Sequence, residues 1–390
     1  MEWSPQQIKA LNKVKDWDPA NQQVFKLFGY AGTGKTTLAK HIAETFGGNV
    51  GFAAYTGKAA SNLTKSGCSA RTIHSWIYAP AQASQKHLRE LKKQLVEVLK
   101  TESEDHFLVL NLREAIQDEH ENLKRPFFTL RLDSEIRTLS LLVIDECSML
   151  DPYIAEDLLS FGVPLLLMGD PAQLPPVKGI GHFMKDPDVM LTEIHRQAKD
   201  NPIIQLAWDI REGRPLKPTQ GKHVTILPRK GFPVEQIIDF DQVLCGMNKT
   251  RHMLNRKMRR AYGIEDTLPI KGEKVICLKN NMDRNLMNGE LFTVEDALQV
   301  SQYEINLTLN GELIPAHTRI FWGETENIPY YELKDSEQFD FGYVITTHKA
   351  QGSQWPKVCV VDESFISRGD QLKWLYTAVT RAEEEVTVLL

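Results

Sequence analysis

The sequence predicts an α/β fold with two parallel-sheet domains and two small inserted domains. Two sets of short apolar runs predict the sheets, because each run ends in small or acidic residues and is followed by a helical pattern. Continuous apolar strands with chemistry at their C-terminal ends are typical of parallel sheets that are covered on both faces. Ligands bind at the carboxyl edge of such sheets, so we expect the functional residues there.

The strands themselves are predicted from where the apolar runs fall. The first set comprises residues 23–29, 50–56, 139–146 and 163–170. The second set comprises residues 242–248, 341–347, 358–363 and 386–390. Each set is large enough to build one sheet, and a chain of 390 residues suits two or more domains rather than one core.

Two segments interrupt this pattern. Residues 78–138 begin with the charged helical stretch "QKHLRELKKQLVEVLK" and end with "PFFTLRLDSEIRT", which predicts a short hairpin. Residues 270–339 alternate apolar and polar residues around two Asn-Gly pairs, at 288–289 and 310–311. Asn-Gly between alternating runs is a strong hairpin signal, so this second segment predicts a small all-β insertion.

Composition limits the classes of protein. The chain is 42% hydrophobic and 25% charged, as in soluble globular proteins, and has no 18-residue apolar run that predicts a membrane span. Its start, "MEWSPQQIKA", does not resemble a signal peptide. Its five scattered cysteines suggest neither a zinc site nor a disulfide framework; we expect small core residues in a reducing compartment. The net charge of −5 neither favours nor excludes nucleic acid, because binding needs only a local basic surface.

The stretch "LFGYAGTGKTT" at residues 27–37 follows the first predicted strand. It fits the pattern G-x-x-x-x-G-K-[ST], with Gly29, Gly34, Lys35 and Thr36 at the fixed places. Glycines let successive N–H groups point at phosphate oxygens, and the following helix adds its dipole. Lys35 suits the β- and γ-phosphates, and Thr36 suits Mg²⁺. A chance glycine turn is the structural alternative, but the strand before and the helix after favour nucleotide binding.

Acidic and amide side chains end two further strands. "LLVIDE" supplies Asp145 to hold Mg²⁺ and Glu146 to orient or deprotonate the attacking water. "LLLMGDPAQLPPV" ends in Asp170 and Gln173, and a carboxamide can accept from water and donate to a γ-phosphate oxygen. An ordinary proline-rich loop is the alternative for this second motif.

In its sequence motifs, the chain resembles the superfamily 1 helicases of the 5′→3′ class, the RecD-like and Dda-like group. The motifs, in order, are "SPQQIKAL", "GYAGTGKTT", "AAYTGKAA", "ARTIHSW", "LLVIDECSML", "MGDPAQLPPV", "LTEIHRQ", "VLCGMNKTRHMLN", "VITTHKAQGSQW" and "LYTAVTRA". They run from residue 4 to 382, so the resemblance covers nearly the whole chain.

The resemblance implies a P-loop NTPase built from two RecA-like domains. Domain 1A would be residues 1–77 with 139–219, and domain 2A residues 220–269 with 340–390. Residues 78–138 would be accessory domain 1B, whose hairpin, or pin, splits the duplex. Residues 270–339 would be the SH3-like domain 2B.

The resemblance also implies residue roles. Gln7 would recognise adenine, and Gln173 would couple the γ-phosphate to the grip on DNA. Arg196 in "LTEIHRQ" and Arg381 in "LYTAVTRA" would be arginine fingers, because a guanidinium stabilises the charge that develops on the phosphoryl group. The remaining nucleotide contacts would come from Gly29, Ala31, Gly32, Thr33, Gly34, Lys35, Thr36, Thr37 and Gly352. Many relatives have Glu where this chain has Gln354, which puts a ribose contact there in doubt.

The nucleic-acid track would cross both domains along the strand ends. The positions that match it are Thr56, Lys58, Thr72, His74, Asn248, Thr250, Arg251, Thr346, His348 and Lys349. Such contacts to phosphates position a strand without reading its sequence. For Arg259 and Arg260 we expect a solvated helix face instead. Stacking on bases and packing in the core are both open for Trp76, Tyr78, Phe127 and Phe128.

The expected function is therefore ATP-dependent translocation on single-stranded DNA with unwinding of duplex DNA, using ATP and Mg²⁺. Two alternatives stay open: a translocase that displaces proteins without unwinding, and an RNA-directed relative. We expect a monomer in the cytoplasm of a bacterial or phage-infected cell. Its partners would be single-stranded, partly duplex or forked DNA, together with single-strand-binding, replication or recombination proteins.

Overall fold

The computed structural model describes most of the chain in two compact units. The described residues are 3–80, 85–100, 108–109, 112–113, 116, 128–131, 133–175, 183–194, 200–279, 281, 284, 286–324, 328–329, 332–333, 336–367 and 369–390. The larger unit is Met1–Ile73 with Thr138–Leu390, and the smaller is His74–Arg137. The α/β fold class is confirmed, since the larger unit contains two mainly parallel sheets.

The first sheet is entirely parallel. Its strands are β1 (Val24–Gly29), β2 (Val50–Ala54), β3 (Ala70–Thr72), β6 (Leu141–Asp145), β7 (Leu165–Gly169) and β8 (Val189–Leu191). They lie in the order β3-β2-β6-β7-β1-β8. The four predicted apolar runs form the centre of this sheet, where every residue of β7 is buried. The flanking strands β3 and β8 were not predicted.

The second sheet is parallel except at one edge. Its strands are β9 (Thr219–Gln220), β10 (Val224–Leu227), β11 (Gln242–Cys245), β18 (Val344–Thr346), β19 (Trp355–Val361) and β20 (Ala382–Leu389). The order is β18-β11-β19-β20-β10-β9, and only β9 runs antiparallel to its neighbour. The second set of apolar runs therefore also forms a parallel sheet, as predicted.

The segment between β11 and β18 is antiparallel, as the alternating pattern predicts. One three-stranded sheet contains β12 (Lys274–Cys277), β13 (Leu291–Thr293) and β17 (Phe339–Phe341), and the other contains β14 (Asp296–Gln299), β15 (Glu304–Leu309) and β16 (Glu312–His317). Asn310 and Gly311 form the two-residue turn between β15 and β16, and both have positive φ. Asn288 and Gly289 instead lie at the end of a longer loop before β13.

Helices follow the strands in the larger unit. They are α1 (Pro5–Lys15), α2 (Lys35–Phe46), α3 (Gly57–Lys65), α6 (Pro152–Ser160), α7 (Pro202–Arg211), α8 (Asn248–Ala261), α9 (Thr318–Phe321) and α10 (Gln371–Val379). Short 3₁₀ turns occur at Cys147–Met149, Val234–Asp239 and Ser364–Ile366. Helices α1, α6 and α7 each begin at a proline behind a Ser, Asp or Asn cap, because proline needs no N–H partner in the first turn.

The smaller unit corrects one prediction. It contains most of α4 (Ile73–Ile77), α5 (Gln85–Val98), and strands β4 (Tyr78–Pro80) and β5 (Phe128–Leu130). Strand β5 pairs antiparallel with β4, which lies about fifty residues earlier in the chain, and Glu135–Thr138 is a 3₁₀ turn. The hairpin predicted within residues 126–138 is therefore wrong over its described part, because β5 has a distant partner rather than a local one.

Two sequence-based statements about the whole chain can be checked against the structure. All five cysteines are free and buried, which confirms that they are small core residues. Among the described residues, none of the helices is both long enough and apolar enough to cross a bilayer.

Candidate active site

The loop between β1 and α2 has a geometry that only glycine permits at two positions. Gly34 caps α2 with φ +78°, in the left-handed region, and a Cβ there would lie 2.8 Å from Gln7 Nε2. A Cβ on Gly29 would lie 2.6 Å from Thr33 Oγ1 and 2.8 Å from Leu191 Cβ. The predicted phosphate-binding loop is thus a tight turn from a buried strand into the N-terminus of a helix.

Lys35 is held inside this loop. Its Nζ donates to the carbonyl oxygens of Gly29, at 2.6 Å, and Tyr30, at 3.1 Å. The ammonium group is therefore bonded to the start of the loop that immediately precedes Lys35 in the chain. Such a placement is the one that brings a positive charge to phosphates held by the loop.

Two carboxylates stand at the end of β6. Asp145 Oδ1 accepts from the backbone N–H of Glu146 at 2.9 Å, and Glu146 has a left-handed backbone with φ 55° and ψ 42°. A non-glycine residue there costs of order 1 kcal/mol or more and persists only where the surroundings hold it, often at functional sites. Burial, and then the charge of Glu146, raise the pKa of Asp145 to about 6, and the charge of Lys35 opposes this rise.

The loop after β7 is bonded to the second sheet's helix α10. The Tyr376 hydroxyl donates to Asp170 Oδ2 and accepts from the Ala31 N–H, both at 2.7 Å. Burial, and then the Asp170 charge, raise the pKa of Tyr376 well above its ordinary value, so the hydroxyl keeps its proton. One buried hydroxyl therefore joins the phosphate-binding loop, the loop after β7 and α10.

Further bonds strengthen this junction. The Leu174 N–H donates to Thr377 Oγ1 at 2.9 Å, and Gln351 Nε2 donates to the Leu174 carbonyl at 2.8 Å. On the other side, Trp208 Nε1 of α7 donates to the Ala31 carbonyl at 3.2 Å. Loops of the first sheet are thus hydrogen-bonded to α7, to α10 and to the loop that contains Gln351.

Gln173 and Arg381 approach the same space from the two sheets. Gln173 is 9% exposed, and its Oε1 is a buried acceptor with no hydrogen-bond partner within the described structure. Arg381 is 4% exposed, and its guanidinium donates to the Thr377 carbonyl, the Ser353 carbonyl and Thr380 Oγ1. Arg381 is therefore held in one orientation by the C-terminal end of α10 and by the loop before β19. Arg196 lies outside the described residues.

These groups surround one cavity of about 380 Å³ between the carboxyl edges of the two sheets. The predicted residues that line it are Ala31, Gly32, Thr33, Gly34, Lys35, Thr36, Thr37, Asp145, Glu146, Gln173, Gly352 and Arg381. Gln354, where relatives have Glu, lines it as well. Residues more than 340 positions apart in the sequence therefore meet at a single site.

Gln7 lies beside this cavity rather than on its wall. Its Oε1 accepts from the Ser4 N–H at 3.0 Å in the capping box of α1, and its Nε2 donates to the Thr33 carbonyl at 3.2 Å. Gln7 thus supports the phosphate-binding loop in this structure. Its contact with a base stays a prediction.

The residues predicted to hold a strand differ in exposure. Lys58 and Asn248 are exposed, His348 and Lys349 are half-buried, and Thr346 is buried. Thr56 caps α3 by accepting from the Ala59 N–H, and Thr72, at the end of β3, is half-buried. His74 lies in the smaller unit, where it is buried with its ring 5.5 Å from that of Tyr78.

Thr250 and Arg251 point into the protein. Thr250 Oγ1 donates to Glu363 at 2.6 Å, and Arg251 is 4% exposed with its Nη2 3.0 Å from Asp340 Oδ2. Neither side chain faces solvent in this arrangement, so a direct contact with a strand stays a prediction that requires their exposure. Glu363 also accepts from the N–H groups of Gly246 and Met247, which holds the start of α8 in place.

One expectation about α8 is wrong. Arg259 is 5% exposed and forms a buried ion pair with Glu273, at 2.6 Å from Nε to Oε1, while Arg260 is exposed as expected. The partner lies on β12, in the antiparallel segment. Among the aromatic residues considered for stacking, Trp76 is buried, Tyr78 is half-buried, and Phe127 lies outside the described residues.

Comparison with known proteins places this geometry in a family. Residues 2–231, more than half of the chain, match the family model described as an AAA domain. The chain belongs to the AAA domain family. Residues 341–389 match a second model, the UvrD-like helicase C-terminal domain. The AAA domain thus contains the first sheet, and the second match contains Gly352 and Arg381.

Individual relatives agree with the resemblance noted from the motifs. The chain is 26% identical to the ATP-dependent RecD2 DNA helicase of Deinococcus radiodurans over 98% of its own length, but it spans only 48% of that protein. It is 25% identical to the ATP-dependent DNA helicase Pif1 of Campylobacter jejuni, covering 73% of this chain and 75% of that one. The RecD-like resemblance is confirmed.

A solved structure shares the fold. It is described as the structural basis for DNA unwinding at forked duplex DNA by two coordinating Pif1 helicases, and it covers 100% of this chain and 92% of its own. The TM-score is 0.52 and the sequence identity 19%, a level that supports the fold alone. The chain therefore shares its overall fold with that structure.

Sequence reasoning missed several residues of the cavity. Asn62 lies in α3, Ser66 directly follows that helix, and Ile203 and Ile204 lie at the start of α7. None of them belongs to a motif with its own chemistry. Only their place in the fold marks them, because α3 and α7 border the carboxyl edge of the first sheet, where the second sheet meets it.

Proposed function

We propose that this chain is an ATP-dependent DNA helicase that moves 5′→3′ along single-stranded DNA and unwinds duplex DNA. The observation that carries the proposal is the single cavity in which Lys35, Glu146 and Gln173 of the first sheet face Arg381 of the second. A nucleotide bound there would contact both sheets, so hydrolysis and release would change their relative position. The DNA substrate rests on the similarity to the RecD2 and Pif1 DNA helicases. The direction rests on the resemblance of the motifs to the 5′→3′ class of superfamily 1 helicases.

Each residue has a role that its position supports. The loop amides and Lys35 would bind the phosphates of ATP, and Glu146 would orient or deprotonate the attacking water. Arg381 would stabilise charge on the transferring phosphoryl group, and Gln173, with its unpaired buried Oε1, would bind at the γ-phosphate. Arg196 would be a second arginine finger on the basis of its motif alone.

The residues present fit Mg²⁺. Thr36 and Asp145 line the cavity together, and burial, then the charge of Glu146, raise the pKa of Asp145 although Lys35 and Arg381 oppose the rise, so a further cation there would favour the ionised carboxylate. The described residues contain no cluster of three or more His, Cys, Asp or Glu, so protein ligands would be few, as is usual for a nucleotide-bound Mg²⁺. When bound, Mg²⁺ would neutralise charge on the phosphate oxygens. Thr36 and Asp145 would orient it.

The first test is ATP hydrolysis with and without single-stranded DNA. We expect strong stimulation by the strand. Lys35→Ala should abolish hydrolysis by removing the phosphate contact. Glu146→Gln should retain ATP binding and lose turnover, by roughly 10²-fold or more, since general base catalysis contributes of that order. Equal turnover in Glu146→Gln and wild type would contradict the role of the cavity.

Unwinding as opposed to translocation depends on the accessory segment. Strands β4 and β5 pair with Pro80 opposite Phe128, so a two-residue Asn-Gly turn can replace residues 81–127 without breaking the pair. We expect this deletion to keep DNA-stimulated hydrolysis and to abolish unwinding, because it removes the inserted segment to which the family resemblance assigns strand separation. Unwinding that survives the deletion would place strand separation elsewhere. A parallel assay on RNA strands tests the RNA-directed alternative.

We place this activity in the cytoplasm of a bacterial or phage-infected cell, where a monomer would act on single-stranded and forked DNA. Replication or recombination proteins would be its protein partners. Size-exclusion chromatography with light scattering, with and without a forked oligonucleotide, tests the monomer directly. A dimer at micromolar concentration would contradict it.

A further inference from the structure

Helix α8 has two faces of opposite character. One face is buried and comprises Thr250, Arg251, Leu254, Asn255, Met258 and Arg259, of which the two arginines pair with Asp340 and Glu273 of the antiparallel segment. The other face is exposed and carries Lys249, Met253, Arg256, Lys257 and Arg260, at helical spacings of four, three, one and three residues. Such spacings place all five side chains on one side of the helix. The exposed face therefore carries four cations and no acid.

This exposed face forms one wall of a groove of about 480 Å³. The opposite wall is Trp322 and Gly323, which follow α9. Arg256 bridges the two walls, because its Nη2 donates to the Trp322 carbonyl at 2.8 Å. No described lining residue of the groove is acidic. Glu324, the next residue along, is engaged by Arg319 at 2.8 Å.

The positive charge is local. Within the described structure, no carboxylate forms an ion pair with Lys249, Lys257 or Arg260, although the chain as a whole carries a net charge of −5. An adjoining cavity of about 630 Å³ shares Arg256, Arg260 and Trp322, and Glu265 and Asp266 lie on it. Acidic residues thus line this surface only beyond the end of α8.

We propose that this groove binds a segment of single-stranded nucleic acid that lies beyond the strand-end track. Lys249, Arg256, Lys257 and Arg260 would contact phosphates, and a base would stack on Trp322 beside Met253. A groove with cations along one wall and an aromatic side chain on the other is the arrangement that single strands favour without regard to sequence. This inference rests on the proposed function, because it assumes that the chain holds a single strand.

The dimensions agree with this assignment. Lys249 and Arg260 are eleven positions apart, which at 1.5 Å per residue is about 16 Å along the helix. Consecutive phosphates of an extended strand are several Å apart, so four cations over this length match about three to five nucleotides. The groove starts at Lys249, next to Asn248 on the predicted track, so a strand can pass from one to the other.

A solvated helix face is the alternative. Exposed helices usually carry both signs of charge, since pairs of opposite charge four residues apart stabilise them. On α8 the like charges of Arg256 and Arg260 stand four residues apart, which costs a few tenths of a kcal/mol without a ligand. A phosphate backbone would compensate that repulsion.

The test is the dependence of DNA affinity on oligonucleotide length. Fluorescence anisotropy with dT oligonucleotides of about 6 to 30 nucleotides, in the absence of ATP, gives the affinity as the strand outgrows the track. The variant is Lys257→Gln/Arg260→Gln, whose side chains are exposed. The matched control is Lys217→Gln/Lys222→Gln, which removes the same charge from exposed sites that line no described cavity.

We expect the groove variant to bind the shortest oligonucleotides as wild type does and to lose affinity for the long ones. Its salt dependence on long strands should fall by about 1.4 in the slope of log K against log salt, at about 0.7 for each lost phosphate contact. Trp322→Ala should weaken long-strand binding about tenfold, and Trp322→Phe much less, because phenylalanine keeps a stacking face.

Two results would overturn the inference while leaving the proposed function intact. One is a groove variant whose length dependence and salt slope equal those of wild type. The other is an equal loss in the control pair, which would show an effect of net charge alone. If wild type binds no single strand of any length and shows no DNA-stimulated hydrolysis, the groove and the proposed function fail together.

Discussion

The hydroxyl of Tyr376 is the most informative single group to remove. In Tyr376→Phe the ring stays in its buried site, but the Ala31 N–H and Asp170 Oδ2 each lose a partner at 2.7 Å. Asp170 is 1% exposed and keeps only the Ala172 N–H, at 3.0 Å. The substitution therefore removes both bonds of the Tyr376 hydroxyl to the two nucleotide loops, leaves the bond from the Leu174 N–H to Thr377 of α10 in place, and creates no cavity larger than one oxygen atom.

The magnitude follows from the two bonds. A hydrogen bond to a buried charged group contributes about 1.5–3 kcal/mol, and a neutral one about 0.5–1.5 kcal/mol. We therefore expect a loss of about 2–4.5 kcal/mol, largely in the attachment of α10 to the first sheet's loops. Since about 1.4 kcal/mol is tenfold in an equilibrium constant, kcat/KM for ATP should fall by at least tenfold. Gln173 and Arg381 would then no longer be held together at the nucleotide cavity.

The assay is DNA-stimulated ATP hydrolysis together with thermal unfolding, for Tyr376→Phe, Asp170→Ala and the double variant. Because the two side chains share one bond, the double variant should cost less than the sum of the single ones, by about 1.5–3 kcal/mol. Tyr153→Phe is the matched control, since Tyr153 is 79% exposed and should change neither quantity. Additive effects, or wild-type kcat/KM in Tyr376→Phe, would refute the coupling.

Three further predictions concern charge and backbone. Because burial raises the folded pKa of Asp145 from 3.8 to about 6, its ionisation costs stability as pH rises from 4 to 6. In metal-free buffer, Asp145→Asn should therefore gain up to roughly 3 kcal/mol over wild type across that window, as measured by denaturant unfolding; a constant difference would contradict the shift. Asp340→Ala leaves the Arg251 guanidinium buried without a carboxylate partner and should cost about 3–5 kcal/mol of unfolding free energy, with the exposed Asp16→Ala as a control near zero. Gly352→Ala should raise KM for ATP, because φ is +75° and the new Cβ would lie 2.7 Å from Thr56 Oγ1; an unchanged KM would place Gly352 outside the site.

The sequence was sufficient for the centre of each sheet and for the phosphate-binding loop. Continuous apolar runs such as β7 can be stable only when buried on both faces, and the loop pattern requires glycines where side chains do not fit. The Asn310–Gly311 turn was likewise local, because both residues adopt positive φ in a two-residue hairpin. Patterns of neighbouring residues therefore predicted strands, loops and turns whose structure depends on those neighbours.

Contacts between distant residues could not be predicted in this way. The run of basic residues in α8 hides two ion pairs whose acids, Glu273 and Asp340, lie 14 and 89 positions from their arginines. The pairing of β5 with β4 is equally distant. The bonds of Tyr376 span 206 and 345 positions, and nothing in the letters around it signals them.

The most direct test of the proposed helicase is strand displacement with ATP and Mg²⁺ on two partial duplexes, one with a 5′ single-stranded tail and one with a 3′ tail. We predict that only the 5′-tailed duplex opens and that Lys35→Ala opens neither. Opening of the 3′-tailed duplex alone would contradict the direction. Hydrolysis stimulated by single strands without opening of either duplex would contradict unwinding and leave a translocase.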